Sequence, residues 1–529
     1  VGSLESLADR PGSALRDELL SFYDKYYSAN MMRLVVLGSE SLDELEDLVQ
    51  PLFSPVPNKS FQHAPIAAPM FADGVLPMEV EVKPQATLRQ LKVSFPIADY
   101  RSEYKAKPLS YLGNLVGHEG EGSLLSQLKA EGLAEGLGAG LGLAWRGGAL
   151  FSISVSLTEE GVVNQQRVLQ LLFSYLEMLR EQGPKEWLYD EQAQLAQLAF
   201  RFQEKGSPMG YVSALSGGMH TYDPIDVLQG GYLMSDYQAP MLEELLGNMV
   251  PVNALVELQD ASARTDRESV HYGVPYSVRQ PSAQQLAAWQ SGSVTDAFHL
   301  PTPNQFIAED VSLVHNEKDN PSAPVLVLDE ERKQIWYAQD EQFRLPRGAT
   351  YINFRSPLVG QSAQQNASAV LYTALLKDQV NEYTYPALLA GLNFSLYKHA
   401  QGISLRISGY NDKQAVLLQE LLQVMASPNF DSQRFDNIRK DMIRALENSV
   451  AKRPSSQVLD DLRESLLYGE WGEEPVIAAL RGMQVEDLNA YVVNFWGSAN
   501  AEAMIYGNYS PDSVQALARK LDLVLPDGV

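Results

Sequence analysis

At 529 residues the chain is too long for one compact core, and at roughly 150 residues per domain it implies about three units. Apolar residues at 45% and charged residues at 20% exclude a disordered, collagenous or coiled-coil chain. The balance of 41 basic against 66 acidic side chains, −25 net, repels phosphate backbones and anionic membrane surfaces and argues against nucleic acid or membrane partners. Without cysteine there are no disulfides, thiolate metal sites or cysteine nucleophiles, a composition suited to a bacterial periplasm or otherwise to cytoplasm. No apolar run is long enough to span a bilayer.

In chain order, Tyr26-Tyr27-Ser28-Ala29-Asn30 leads into an apolar strand at 33–37, then Gly38, then Ser41 capping a helix at 42–50. The same order returns near the end: Phe495-Trp496-Gly497-Ser498-Ala499-Asn500, a strand at 501–506, Gly507, and Ser510 capping a helix at 511–520 that opens on proline. A looser copy runs through a helix at 241–246, Pro251-Val252-Asn253 and a strand at 254–258. Before the second and third copies lies a longer shared pattern. Its first run is strand 88–95, helix 111–128, strand 149–157 and helix 163–181; its second is strand 350–354, helix 367–380, strand 403–409 and helix 413–425. A repeat of this length is a duplicated domain, and the chain is expected to open inside a further copy.

The expected fold class is therefore α+β, with duplicated domains that each pack helices on one face of a mostly antiparallel sheet. In the helix at 163–181, Val168, Leu169, Leu172, Tyr175, Leu176 and Leu179 follow one helical stripe, stopped by Gly183-Pro184. Phe151, Ile153 and Val155 alternate with Ser152, Ser154 and Ser156, the pattern of a strand covered on one face. The expected division is 1–66 as the end of a first domain, 67–295 as a second, 296–325 as a linker and 326–529 as a third. The stretch 300–324 carries four prolines and little periodicity, as a linker should.

None of the seven histidines has a second at the three- or four-residue spacing that sets two imidazoles around zinc, and there is no phosphate loop or nucleophile elbow. In Gly117-His118-Glu119-Gly120-Glu121-Gly122-Ser123, histidine and carboxylate are adjacent and so point to different sides of a helix. The segment is then either a helix interruption, whose glycines permit tight turns, or a ligand contact. Gly136-Leu137-Gly138-Ala139-Gly140-Leu141-Gly142 precedes a strand rather than a helix, which argues against a dinucleotide fingerprint. Its alternating glycines leave one face bare, as in a poorly packed hairpin arm or in an edge that accepts an extended peptide by strand addition.

The run from Tyr111-Leu112-Gly113-Asn114 through Gly117-His118-Glu119-Gly120 to Ser126-Gln127-Leu128-Lys129 resembles the pitrilysin and insulin-degrading-enzyme family of zinc metallopeptidases. The likeness continues through Ser156-Leu157-Thr158-Glu159-Glu160-Gly161, Gly183-Pro184-Lys185-Glu186-Trp187, Ala199-Phe200-Arg201-Phe202 and Gly409-Tyr410-Asn411-Asp412-Lys413-Gln414, and covers nearly the whole chain. The resemblance implies a parent enzyme of four homologous domains closing around a chamber where peptides are cut, with this chain as an internal piece. It implies zinc in the parent, held by an H-x-x-E-H motif that these 529 residues lack, and hence no catalytic residue, no metal ligand and no hydrolysis by this piece alone. It further implies a peptide-anchoring strand at Leu137, Gly138, Ala139, Gly140 and Leu141, with Gly117 and Glu119 meeting the peptide's α-ammonium. Ser110 and Asn114 stand where insulin-degrading enzymes carry histidines. Expected partners are peptides and the parent's remaining domains. The alternative is a non-catalytic scaffold of the same fold, like processing-peptidase or respiratory-core subunits.

Overall fold

The computed structural model describes residues 2–526 apart from 65, 67, 87, 292–295 and 316–322. The chain resolves into two compact units. One comprises Val1–Gly117, Leu137–Ser156 and Leu169–Val294; the other comprises His118–Gly136, Leu157–Val168 and Thr295–Val529. Both are α+β, in agreement with the expectation from the sequence.

The first sheet contains β1 (Met78–Val82), β2 (Gln90–Ile97), β3 (Ala134–Trp145), β4 (Gly148–Leu157), β5 (Leu255–Gln259), β6 (Arg267–Glu268) and β7 (Pro275–Arg279), in the order β3-β4-β2-β5-β1-β7-β6. In β2, Leu91, Val93, Phe95 and Ile97 alternate into the core, with Val93 opposite Ile153 and Phe95 opposite Phe151 of β4. Phe173, on the long helix Gln165–Gln182, meets Phe95 edge-on at 6.3 Å and stacks on Trp289 at 5.9 Å. Removing the fully buried Phe95 ring would cost roughly 3–5 kcal/mol.

The second sheet contains β8 (Val325–Glu330), β9 (Lys333–Gln339), β10 (Arg347–Arg355), β11 (Asn393–His399), β12 (Gly402–Tyr410) and β13 (Asn500–Gly507), in the order β11-β12-β10-β13-β9-β8. Each sheet has a parallel pair at the same place, β1 with β5 and β9 with β13, while the other pairings whose register is defined are antiparallel. The tail modules supply β5 and β13. Ser41 forms a capping box with Glu44, and Ser510 accepts from the Ser513 amide.

Several local expectations are corrected. Residues 33–37 form no strand, because no neighbour pairs with them among the described residues. The helix expected at 111–128 is two helices, Pro108–Val116 and Leu124–Ala130, separated by a turn in which Gly122 has φ of 77°. Ser152 is buried rather than exposed, because its hydroxyl lies 2.9 Å from that of Ser94 on β2 and both oxygens are satisfied away from water. Within 300–324, Phe306, Ile307 and Ala308 are buried, so that part packs as structure; residues 316–322 of the expected linker lie outside the described residues.

Candidate functional site

The glycine-rich strand β3 stands at one end of the first sheet, paired with β4 and with no strand beyond it in the strand order. An added Cβ at Gly138 or at Gly140 would meet nothing within 4 Å, so the strand is bare at both positions. Leu141 and Leu143 are each 50% exposed. Gly142 differs, since its added Cβ would fall 2.4 Å from Ser152 Oγ.

The helix Pro108–Val116 backs this strand. Proline opens it, Lys107 precedes it at φ of 45°, and Gly117 ends it. Gly113 and Gly117 are four residues apart and share a face. A Cβ on Gly113 would lie 3.2 Å from the Ala139 carbonyl oxygen, and one on Gly117 would lie 3.3 Å from the Ala139 nitrogen. The helix therefore approaches the strand backbone at Ala139 because both of its facing residues lack side chains.

Beside them opens a cleft of about 640 Å³, lined in part by Ser110, Gly113, Asn114, Ala139, Gly140 and Leu141, and also by Tyr104 and Tyr222. The two tyrosine rings meet at 5.1 Å. The Tyr104 hydroxyl lies 2.9 Å from carboxylate oxygens of both Asp223 and Asp226, and Lys105 Nζ is 2.9 Å from Asp226, which pins the loop that carries Tyr222. The Asn114 amide oxygen accepts from Gln192 at 3.3 Å. At the far end of the strand, Arg101 donates to the Trp145 carbonyl at 3.1 Å and pairs with Asp99, whose carboxylate accepts from the Gly147 amide at 3.4 Å. Hydrogen bonding from Arg101 holds the Asp99 carboxyl down to about 2, so it is charged at any working pH.

Of the residues singled out in the sequence, Leu137, Gly138, Ala139, Gly140 and Leu141 lie in succession along β3 and Gly117 packs against Ala139. Glu119 is counted with the second unit, where its Oε2 accepts from Asn381 Nδ2 at 2.9 Å. His118 is 7% exposed, accepts from the Gly120 amide at 3.0 Å and meets the Tyr385 ring edge-on at 4.8 Å. Burial, and then the neighbouring His299, push its imidazole down to about 4, so it is neutral. This histidine belongs to the core of a turn. Among the described residues no group of three or more His, Asp or Glu is placed to hold a metal ion. Tyr104, Tyr222 and the Asp99–Arg101 pair escape sequence reasoning, because the two tyrosines come together from 222 − 104 = 118 residues apart with no local pattern.

Both units are α+β, and the sheet of the first ends on a bare strand beside a cleft. Residues 14–195 match the description "Peptidase M16 inactive domain" and residues 200–479 match "Middle or third domain of peptidase_M16", and the chain belongs to this family, the insulinase and pitrilysin peptidases. It is 34% identical over 522 residues to insulin-degrading enzyme of Homo sapiens, covering 98% of this chain and 51% of that protein. The A-factor-processing enzyme of Saccharomyces cerevisiae is 30% identical over 534 residues, covering 100% of this chain and 52% of that one. A Schizosaccharomyces pombe relative whose name includes the words zinc protease is 31% identical over 527 residues, covering 98% of this chain and 54% of its own. The crystal structure of pitrilysin superposes with a TM-score of 0.72 at 26% identity, over 100% of this chain and 56% of that one. The chain thus spans about half the length of these relatives. No helix among the described residues is long and apolar enough to cross a membrane.

Proposed function

We propose that this chain is the substrate-holding part of a peptide-cleaving zinc enzyme, gripping an extended peptide along β3 while the bond is broken by residues outside these 529. One observation carries the reading: β3 ends its sheet and is bare at Gly138 and Gly140, so a guest backbone can approach its amides and carbonyls. Main-chain hydrogen bonds then supply affinity with little demand on peptide sequence, and the half-exposed Leu141 offers an apolar contact. The division into a first-domain end at 1–66, a second domain at 67–295, a linker at 296–325 and a third domain at 326–529 belongs to the same reading. Gly117 would present its carbonyl to the peptide's α-ammonium, and Glu119 its carboxylate, which already holds the Asn381 amide. The absence of H-x-x-E-H from the sequence supports an inactive piece, and zinc chemistry would then belong to the parent enzyme. The periplasm remains the proposed compartment, with cytoplasm as the alternative.

The test is binding of a fluorescent, unstructured peptide to the full chain, followed by anisotropy, with and without zinc. Saturable binding without cleavage is expected, and Leu141→Pro, which removes a strand amide, should weaken it about tenfold. Undiminished affinity in Leu141→Pro would falsify strand addition. Cleavage by the chain itself would overturn the division of labour.

A further inference from the structure

Strand addition holds a guest by its backbone and leaves the guest's side chains free to point alternately to the two faces of the sheet. Every second one is therefore turned toward the helix Pro108–Val116, which approaches β3 at Ala139. The cleft lies to that side, since Ser110, Gly113 and Asn114 of the helix line it together with Gly140 and Leu141 of the strand. It is continuous with the edge that would carry the peptide, and its volume of about 640 Å³ falls in the range of ligand-holding pockets.

The charged side chains that line the cleft cancel, Asp99 and Glu103 against Arg101 and Lys107. Arg101 already donates to Asp99 at 2.8 Å, and the Lys107 ammonium donates to the Gly231 carbonyl. No surplus charge is left to select a charged guest. Pro108, Leu109, Leu141 and Ala144 add apolar surface, and the half-buried Tyr104 and Tyr222 add two rings that meet edge to face at 63°. Both rings are held. A Cβ on Gly230 would fall 2.4 Å from the Tyr222 ring and one on Gly218 would fall 3.1 Å from it, so the ring is seated against two residues without side chains. The Tyr222 amide donates to the Gly218 carbonyl at 2.8 Å, and Tyr104 is fixed through its hydroxyl by Asp223 and Asp226. Two rings kept at a steep tilt offer a third ring both an edge and a face, the contacts that aromatic side chains prefer.

We propose, on the basis of strand addition at β3, that the cleft selects peptides carrying an aromatic side chain at one register position, and that Tyr104 and Tyr222 set this preference. The test uses the full chain and a host peptide of about ten serine and alanine residues, labelled at its carboxyl end, into which one phenylalanine is placed at successive positions from the amino end. Anisotropy gives a Kd for each. Phenylalanine at one position should lower Kd about tenfold relative to the host, and at the positions directly before and after it should not, because those side chains face away. Leucine at the favoured position should gain about threefold, and lysine or glutamate nothing. In Tyr222→Ala the ratio of host Kd to phenylalanine-peptide Kd should fall to about one, and Tyr222→Phe should restore it. Tyr222→Leu keeps the seat on Gly230 filled without a ring, so it should abolish the preference for phenylalanine over leucine even where the alanine variant does not fold. Equal Kd wherever phenylalanine stands, or an unchanged preference in Tyr222→Leu, overturns the aromatic pocket and leaves strand addition standing. A host peptide that does not bind, or binding that survives Leu141→Pro, overturns strand addition and the pocket with it.

Discussion

β3 and β11 hold equivalent places, each at the end of its sheet next to the strand that pairs with the sheet's interior, β4 in one case and β12 in the other. Their surfaces are unlike. β3 reads Ala-Glu-Gly-Leu-Gly-Ala-Gly-Leu-Gly-Leu-Ala-Trp and is bare at Gly138 and Gly140, whereas β11 reads Asn-Phe-Ser-Leu-Tyr-Lys-His, has no glycine, buries Leu396 and leaves Tyr397 half-exposed. The two edges take the same place in their sheets, but β3 runs for 12 residues and β11 for 7, and their side-chain content differs. The usual protections of an edge, bulky or charged side chains, run along β11 and are missing from β3 at Gly138 and Gly140.

Each edge is also fixed by one charged contact. Glu135, at the start of β3, meets Arg434 Nη2 at 3.0 Å, and the same guanidinium binds Asp378 at 2.6 Å while Lys129 reaches Asp378 at 3.4 Å. Burial pushes the Glu135 carboxyl up. Burial also acts against the Asp378 charge, yet Arg434 and Lys129 hold that carboxyl below its usual range. On β11 the counterpart is the largely buried Lys398 with Glu470 at 3.2 Å, whose side chain is 34% exposed against 19% for Glu135. The largest effect is therefore expected from Arg434→Met, which leaves two half-buried acids facing each other and should cost roughly 3–5 kcal/mol by urea unfolding. Glu470→Gln should cost less than about 1 kcal/mol, and equal losses would erase the distinction between the edges.

Next in size is a pH effect at the two histidines. His118 lies in the turn before β3, and its folded value of about 4 is below the ordinary 6.5, so the unfolded chain takes up the proton first as pH falls. The stability its neutral ring contributes is complete above pH 6.5 and is lost as pH falls through about 4, roughly 3 kcal/mol in all. His118→Gln should flatten the dependence of apparent Tm on pH between 6.5 and 4. The His399 imidazole at the end of β11 is pushed in the same direction by burial, and then by Arg355 and Lys398. A steeper response from His399→Gln than from His118→Gln would reverse the ranking.

Smaller effects separate backbone strain from access. Gly140 has φ of 154°, which L residues rarely adopt, so Gly140→Val should cost roughly 1–3 kcal/mol as well as peptide affinity. Gly138 has no positive φ and open space around it, so Gly138→Val should keep the Tm within about 2 °C and lose peptide affinity alone. The smallest expected effect is on β11, where Ser395→Gly with Tyr397→Gly should leave peptide binding unchanged; a gain there would mean that bareness by itself creates the site.

The glycine strand was legible because absence of side chains is written in the sequence, and the caps at Ser41 and Ser510 because capping is local. The order of the strands, the break after Gly117 and the cleft were legible only in part. Apolar residues at 33–37 resemble a strand, yet a strand needs a neighbour, and alternation does not say whether one is present. Ser152 was read as outward-facing because its partner Ser94 lies 152 − 94 = 58 residues away. The tyrosine wall of the cleft depends on Asp223 and Asp226 reaching Tyr104, a contact with no periodic trace.

In both sheets the strand supplied by the tail module is not an edge but a wedge, with β5 seated between β2 and β1, and β13 between β10 and β9. Gln259 of β5 pairs with Gln90, and 259 − 90 = 169 residues of chain must be made before that central slot can be filled. At a synthesis rate of about 5–20 residues per second, the half-built sheet waits roughly 8–34 s on the ribosome with its middle unzipped. The tail module thus acts as a closing piece, and a ribosome that stalls before residue 255 would release a polypeptide whose first sheet has no centre.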